Sequence, residues 1–240
     1  MTLPRAHAAD TPVCAIVGAG PGNGLAFAQR FAAAGNRVAM LARDRAKLDA
    51  LVAQVPGALA ITCDASCQSS LERAFAQVHA LGSLRTLVYN AGNFVFGDAR
   101  GTDWDTLETA FRLNCSGCLR ATQLALPAML ERGTGEVIVV GATASRRGSA
   151  GVLPFAAAKS AQRALAESLA RELGPAGIHV AYVVIDGVID TPHTRAFFEQ
   201  RAEDFFMRAE SIAETVFQLS RQERSAWTFE LDLRPFKERW

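Results

Sequence analysis

One lysine of this chain lies in an apolar stretch that is unusual for a charged residue. In GVLPFAAAKSAQRA, residues 151–164, Lys159 follows Phe155 by four positions, and the residues between them are alanines. A buried ammonium needs acceptors that replace its water. The stretch therefore indicates either a bound group whose oxygen atoms hold Lys159 or a lysine that extends to solvent from an alanine-rich helix face.

A glycine-rich turn follows the first apolar run of the chain. The stretch VGAGPGNGLA, residues 17–26, contains Gly18, Gly20, Gly22 and Gly24. Glycines between a strand and a helix let the backbone approach a pyrophosphate and direct the N–H groups of the first helical turn at it. An ordinary tight turn also needs glycine. The position directly after a predicted strand favours a dinucleotide phosphate site.

The cysteines predict neither a disulfide framework nor a metal site. The chain of 240 residues has five cysteines, an uneven number, at Cys14, Cys63, Cys67, Cys115 and Cys118. The last two form C-x-x-C, but no second pair has metal-ligand spacing, and the surrounding FRLNCSGCLRATQLAL is typical of a helix interior. We expect the side chains of Cys115 and Cys118 to be small packing residues in the core.

Composition excludes several classes of partner. The formal net charge is +1, and no basic stripe is present, which disfavours binding to nucleic acid or to an anionic membrane. The N-terminus has no apolar signal region, and no run of about 18 apolar residues could span a membrane. We expect a cytoplasmic protein.

Apolar strands alternate with helices along most of the chain, which predicts an α/β fold with a doubly wound parallel sheet of about seven strands. This is a single-domain Rossmann fold with helices on both faces. The predicted strands are 13–18, 37–43, 58–64, 85–92, 135–142, 178–186 and 226–233. The predicted helices are 25–35, 44–55 (with Asp44 as N-cap), 68–81, 102–130, 153–173 and 211–219.

The chain is expected to form one domain over 13–240, after an N-terminal extension over 1–12. Within it, 192–210 is expected to cover a substrate as a short helical lid. Its large apolar residues fit either the wall of an apolar pocket or the inner face of a packed helix; they are Phe197, Phe198, Phe205, Phe206 and Met207. Arg146 and Arg147 in an earlier loop fit either an anionic substrate or plain solvation.

Several ordered motifs resemble those of the short-chain dehydrogenase/reductase family, from about residue 13 to residue 233. The glycine spacing is Gly18-x-x-x-Gly22-x-Gly24, and the other motifs are CDAS with Asp64, YNAG at 89–92, LNCSG with Asn114, FAAAKSA with Lys159, and IDGVIDTP with Gly187 and Thr191. The resemblance implies that Lys159 holds the ribose hydroxyls of a nicotinamide cofactor and that Asn114 supports a proton-relay water. It also implies a homodimer or homotetramer, paired through helices 102–130 and 153–173.

The resemblance implies a complete cofactor-binding set. It consists of Gly18, Gly20, Gly22, Asn23, Gly24, Leu25, Arg43, Asp64, Asn90, Ala91, Gly92, Lys159, Gly187, Ile189 and Thr191. Strand two ends with Ala42 and Arg43, where relatives that prefer NAD carry a carboxylate. Arg43 can bind a 2′-phosphate through charge-assisted hydrogen bonds, so we expect NADP(H) rather than NAD(H), unless Arg43 is simply solvated.

The catalytic positions depart from the family pattern. Phe155 stands at the position of the proton-donating tyrosine, and Ala142 stands at the position of the serine, thirteen residues earlier. The adjacent Thr143 and nearby Ser145 carry hydroxyls, and a one-residue shift could bring Thr143 into place. Asn114 and Lys159 remain as candidate catalytic residues.

Two hypotheses therefore stay open. The first is an NADP(H)-dependent oxidoreductase for a small apolar carbonyl or alcohol. Its proton would come from the substrate, from a water held by Asn114 and Lys159, or from Asp186, Tyr89 or His193. Asp186 replaces the proline of the family's P-G pair. The second is a nucleotide-binding sensor or subunit that has lost this chemistry.

Overall fold

The computed structural model describes residues 11–237. Seven parallel strands form one sheet in the order β3-β2-β1-β4-β5-β6-β9. They are β1 (Val13–Val17), β2 (Arg37–Ala42), β3 (Leu59–Thr62), β4 (Leu84–Tyr89), β5 (Gly135–Ala142), β6 (Ile178–Ile185) and β9 (Glu230–Leu233). The strand order reverses between β1 and β4, so a crevice opens there at the carboxyl ends of the strands.

Helices cover both faces of the sheet. They are α1 (Asn23–Ala33), α2 (Arg45–Val52), α3 (Gln68–Leu81), α4 (Trp104–Phe111), α5 (Gly117–Arg132), α6 (Leu153–Leu173), α7 (Pro192–Phe197) and α8 (Ala209–Leu219). One core lies between the sheet and helices α3, α5 and α6, and a second lies between the sheet and helices α1, α2 and α8. The doubly wound α/β prediction is confirmed.

Several elements have the bounds or the N-cap that the sequence predicts. β5 and α6 have the predicted bounds. The carboxylate of Asp44 accepts from Lys47 N at 3.1 Å, so Asp44 is the N-cap of α2. The last strand is shorter than expected, and it adds to the sheet as a parallel edge beside β6.

The predicted helix over 102–130 is divided in two. A π-helical segment, Arg112–Ser116, separates α4 from α5 and contains Asn114. The C-x-x-C pair begins in this segment: Cys115 is half-buried, while Cys118 is fully buried in the core. Burial raises the pKa of the Cys118 thiol to about 12, as expected for a packing residue.

The segment over 192–210 is not one helix. It contains α7, a 3₁₀ turn at Glu203–Phe205, and the short strand β8 (Phe206–Met207), which pairs with β7 (Val188–Ile189). Phe206 and Met207 are buried, whereas Phe197 is exposed. Most of the expected extension, residues 1–10, lies outside the described residues. Between residues 11 and 237 no helix is long and apolar enough to cross a membrane.

Candidate active site

The glycine-rich loop is bound to the end of β2. Gly18 N and Ala19 N both donate to Leu41 O at 2.9 Å. Gly18 has a φ of 92°, and a Cβ there would lie 2.4 Å from Ala91 N. A side chain at position 18 is therefore excluded both by backbone conformation and by the close approach of β1 and β4.

The N-terminus of α1 has free donors beside open space. Gly22, the N-cap, supplies no side-chain cap. Leu25 N donates to Gly20 O at 2.9 Å, whereas Asn23 N and Gly24 N have no acceptor among the described residues, so these two N–H groups keep their hydrogen-bonding capacity. A Cβ at Gly20 would meet nothing within 4 Å, while one at Gly22 would lie 2.8 Å from Thr191 Cγ2. The Asn23 side chain is buried, and neither of its polar atoms has a partner among the described residues. These residues fit the pyrophosphate of a dinucleotide.

Asp64 and Arg43 lie beyond the ends of the neighbouring strands β3 and β2. The Asp64 carboxylate accepts from Ser66 N at 2.9 Å and from Ser66 Oγ at 2.7 Å. Partial burial raises the pKa of Asp64, but the Ser66 hydrogen bonds and the charge of Arg43 more than offset this and lower it. Arg43 is exposed, and no ion pair holds it among residues 11–237. It is free to bind an anion.

The turn after β4 connects the cofactor loop to the catalytic positions. Asn90 Nδ2 donates to Gly18 O at 2.8 Å, which holds the two loops together. A Cβ at Gly92 would lie 3.2 Å from Asn114 Oδ1 and 3.4 Å from Lys159 Nζ. The absence of a side chain at position 92 therefore lets these two polar groups face the same small space.

Three further cofactor positions follow β6. A Cβ at Gly187 would lie 2.6 Å from Pro235 Cδ, so this position also needs glycine. Ile189 is half-buried in β7. Thr191 forms a capping box with Thr194 at the start of α7. Leu25 in α1 is half-buried and Ala91 is buried.

Lys159 is buried with two acceptors. Its Nζ donates to Val140 O at 3.0 Å and to Gln162 Oε1 at 2.9 Å. Burial lowers the pKa of Lys159 to about 8, and the nearby Cys118 thiol acts in the opposite direction. Two of the three N–H groups of the ammonium are thus used, and one remains for a ligand.

Asn114 has one free atom. Its Nδ2 donates to Ala110 O at 2.9 Å, and its backbone carbonyl accepts from Gln162 Nε2 at 2.7 Å. Its Oδ1 is buried without a partner between residues 11 and 237. Sequence reasoning did not identify Gln162, although its position three residues after Lys159 puts both on one face of α6.

Phe155 belongs to an aromatic row that reaches the surface. Its ring lies 5.0 Å from the ring of Phe94, which lies 4.8 Å from the ring of Phe96. Phe155 is 8% exposed, whereas Phe94 and Phe96 are 60% and 68% exposed. The loop that carries them is tied to the start of α6 by Gly97 N donating to Gly151 O and Leu153 N donating to Gly97 O.

The hydroxyls near Ala142 are already engaged. Thr143 Oγ1 donates to Asp186 Oδ1 at 2.6 Å, and Ser145 Oγ donates to Ala142 O at 2.6 Å. Asp186 is buried, and its carboxylate lies 3.6 Å from Arg147 and 3.5 Å from Arg234. Arg147 is thus held by a carboxylate of the protein, as is Arg146, which lies 2.5 Å from Asp232.

One of the suggested proton donors, Tyr89, differs from the expectation. Tyr89 is fully buried, its hydroxyl donates to Leu113 O at 2.5 Å, and burial strongly raises its pKa. It is a core residue, so the interpretation of Tyr89 as a proton donor is not supported. His193 is exposed near the start of α7.

Comparison with known proteins shows the family of the chain. Residues 12–202 match the sequence profile of the short chain dehydrogenase family. The chain is 34% identical over 189 residues to the 3-oxoacyl-[acyl-carrier-protein] reductase MabA of Mycobacterium avium, covering 77% of this chain and 70% of the relative.

Solved structures give the same result. A short-chain dehydrogenase from Rhodopseudomonas palustris superposes with a TM-score of 0.81 at 31% identity, covering 94% of this chain and 99% of the other. A single-substitution variant of the actinorhodin polyketide ketoreductase with NADPH superposes with a TM-score of 0.84 at 27% identity, covering 94% and 97%. The chain belongs to the short-chain dehydrogenase family of oxidoreductases, which bind nicotinamide cofactors.

Proposed function

We propose that this protein is an NADP(H)-dependent oxidoreductase for a small apolar carbonyl or alcohol, with an active site in which residue 155 does not supply the proton. The observation that carries the proposal is the meeting of the Lys159 ammonium and Asn114 Oδ1 at Gly92. One donor of Lys159 and the only acceptor atom of the Asn114 side chain are unused there by the described residues. A ligand with hydroxyl groups would satisfy both.

The residues around the crevice support a dinucleotide. The open space at Gly20 and the uncapped first turn of α1 suit a pyrophosphate. The family resemblance also implies that Asp64, after β3, contacts the adenine of the cofactor. Arg43 supports NADP(H) because its guanidinium is exposed at the end of β2 and has no ion-pair partner between residues 11 and 237. Asp44 caps α2, so its carboxylate is engaged and does not take the place of the ribose-binding carboxylate of NAD-preferring relatives.

The aromatic row supports an apolar substrate. Phe94 and Phe96 expose much of their rings beside Phe155, one helical turn before Lys159. Exposed aromatic rings that continue into a buried site are typical of binding surfaces for apolar groups. The 192–210 segment adds Phe198 and Phe205, whose rings contact each other, and could cover such a substrate.

The bound cofactor would supply the hydride, and this chain would supply position and charge. The protonated Lys159 brings a buried positive charge to the site, and such a charge stabilises an oxyanion strongly in a low dielectric. Phe155 excludes water but has no proton to give, and the Thr143 hydroxyl is directed to Asp186. The proton for an alkoxide would then come from solvent or from Lys159.

The test is NADPH oxidation against a panel of carbonyls, imines and activated alkenes, with cofactor affinity measured separately. Lys159→Met should abolish turnover, whereas Lys47→Met, which removes an exposed lysine from α2, should not. Tight NADPH binding without turnover of any substrate would favour the alternative, a nucleotide-binding sensor or subunit. The hydroxyls of Thr143 and Ser145 both donate to acceptors within the protein, and this favours that alternative. Absence of NADPH binding would exclude the NADP(H)-dependent oxidoreductase.

The surroundings of the protein are part of the proposal. We place it in the cytoplasm as a homodimer or homotetramer, with neither nucleic acid nor membrane as a partner. The net charge of +1 supports the exclusion of polyanionic surfaces.

A further inference from the structure

Gln162 joins the two candidate catalytic residues of the site. Its side chain is fully buried on α6, with Oε1 at 2.9 Å from Lys159 Nζ and Nε2 at 2.7 Å from Asn114 O. The orientation of the amide is determined by its partners, because an ammonium can only donate and a carbonyl can only accept. Gln162 therefore bridges α6 to the π-helical segment through Lys159 and Asn114.

We propose that Gln162 is a positioning residue that fixes the Lys159 ammonium. Its amide also links Lys159 to the Asn114 carbonyl, in the place where a relay water would otherwise bridge them. A bridging water makes the same pair of hydrogen bonds and also passes protons. A primary amide makes the hydrogen bonds, but it neither takes up nor releases a proton readily. Lys159 is thus held as a fixed cation and is not reprotonated by this route.

The Lys159 ammonium has few groups around it that can compensate its burial. The ammonium is held by Val140 O from β5 and Gln162 Oε1 from α6, and its third N–H faces the space at Gly92. Among residues 11–237, the one titratable group whose charge acts on it is the Cys118 thiol of α5. No carboxylate in that range stabilises the charge, so Val140 O and Gln162 Oε1 are the acceptors that compensate the burial of the ammonium.

A catalytic consequence follows, and this part rests on the proposed function. Of the two proton sources named above, solvent and Lys159, solvent would then complete the reaction, because Lys159 is not reprotonated through Asn114. The effect of Gln162 on Lys159 does not depend on that function, so it can be measured in the protein without cofactor or substrate.

The composition of the chain allows a direct measurement. The chain has three lysines, at positions 47, 159 and 237. In protein labelled with ¹³C at lysine Cε, the chemical shift of each lysine can be followed through its own titration. Lys47 and Lys237 are exposed internal references, and Lys159→Met identifies the remaining signal.

Gln162→Leu and Gln162→Met remove both hydrogen bonds while filling a similar volume. A hydrogen bond to a charged group corresponds to about one to two pKa units, so both variants should lower the pKa of Lys159 by that amount from its value of about 8. Gln162→Glu keeps an acceptor for the ammonium and should not lower the pKa. Gln77→Leu, on the exposed face of α3, is the matched control and should leave it unchanged.

An unchanged Lys159 pKa in whichever of the Leu and Met variants folds would overturn the proposal, as would a decrease in Gln162→Glu equal to that in Gln162→Leu. Far-UV circular dichroism and the two reference lysines report folding. NADPH titration of the same samples separates this result from the proposed function. A shifted pKa without NADPH binding would overturn the function alone, and NADPH binding with no pKa shift would overturn the role of Gln162 alone.

Discussion

Phe94 lies against Phe155 with ring centroids 5.0 Å apart and an interplanar angle of 54°. The family resemblance implies a phenolic hydroxyl on this side of the site. Here the two phenyl rings offer only carbon and hydrogen. A phenyl ring occupies nearly the volume of a phenol, so the fold is preserved while the proton donor is absent. The same contact leaves most of Phe94 exposed as an apolar surface beside the site.

We predict that Phe155→Tyr combined with Ala142→Ser raises ketone reduction. A general acid contributes about 10²–10⁴ in rate and an oxyanion donor about 10²–10³. Groups that act together are not additive, so the gain should be smaller than the product. Phe155→Tyr alone should recover only part of it. The measurement is NADPH oxidation with aromatic and aliphatic ketones.

Phe198→Tyr is the control for this pair, because it adds a phenol to an aromatic residue of the 192–210 segment. It should not accelerate the reaction. Fast ketone reduction by the unmodified protein would mean that another group already supplies the proton. No gain in a folded double variant that binds NADPH would mean that two hydroxyls are insufficient in this pocket.

Arg43→Ala should remove most of the preference for NADPH over NADH. We expect the unmodified protein to bind NADPH about tenfold to a hundredfold more tightly, from one or two charge-assisted hydrogen bonds. Arg45→Ala is the matched control, because Arg45 is also exposed but is paired with Asp49 at 2.9 Å within α2. Fluorescence titration with both cofactors measures the ratio. Equal affinities in the unmodified protein would contradict the assignment of Arg43.

Much of the fold could be predicted from local patterns. The continuous apolar runs of β5 and β6 predict strands buried on both faces, and the aspartate at position 44 predicts the start of α2. The π-helical segment could not be predicted, because FRLNCSGCLR has no local signal that distinguishes it from a regular helix. The bounds of β9 depended on pairing with β6, which is a long-range contact.

The candidate site was predictable in its positions but not in its connections. Motif spacing identified Asn114 and Lys159, yet the connection between them passes through Gln162, whose role depends on the packing of α6 against the π-helical segment. Likewise, Thr143 looked available from the sequence. Its engagement follows from Asp186, which lies 43 positions further along the chain.

Tyr89→Phe should lower stability without changing turnover or NADPH affinity. The variant removes the buried hydrogen bond that the Tyr89 hydroxyl donates to Leu113 O, and the loss of such a bond costs about 0.5–1.5 kcal/mol. Urea denaturation measures the loss of unfolding free energy. A large loss of turnover in a folded Tyr89→Phe protein would restore Tyr89 as a proton donor.

The protein should form an even-numbered homo-oligomer at micromolar concentration. This expectation comes from the family's pairing through the helices at 102–130 and 153–173 and from the prevalence of closed symmetry. Trp104, at the start of α4, is 77% exposed in the isolated chain. Trp104→Glu should shift the mass measured by light scattering towards the monomer if α4 lies in the interface. A monomeric mass of the unmodified protein would contradict the prediction.

Burial of the Lys159 ammonium should make stability depend on pH in a defined window. Its pKa is lowered from 10.5 to about 8 in the folded protein, so between these values the unfolded chain binds more protons. The unfolding free energy of the wild type should therefore rise with pH relative to that of Lys159→Met, by up to roughly 3 kcal/mol. Cysteine and tyrosine titration affects both proteins and cancels in the difference. Lys47→Met, at an exposed site, should show no such trend. A constant difference between wild type and Lys159→Met, measured by denaturation from pH 7 to pH 10.5, would show that Lys159 keeps its ordinary pKa and is solvated.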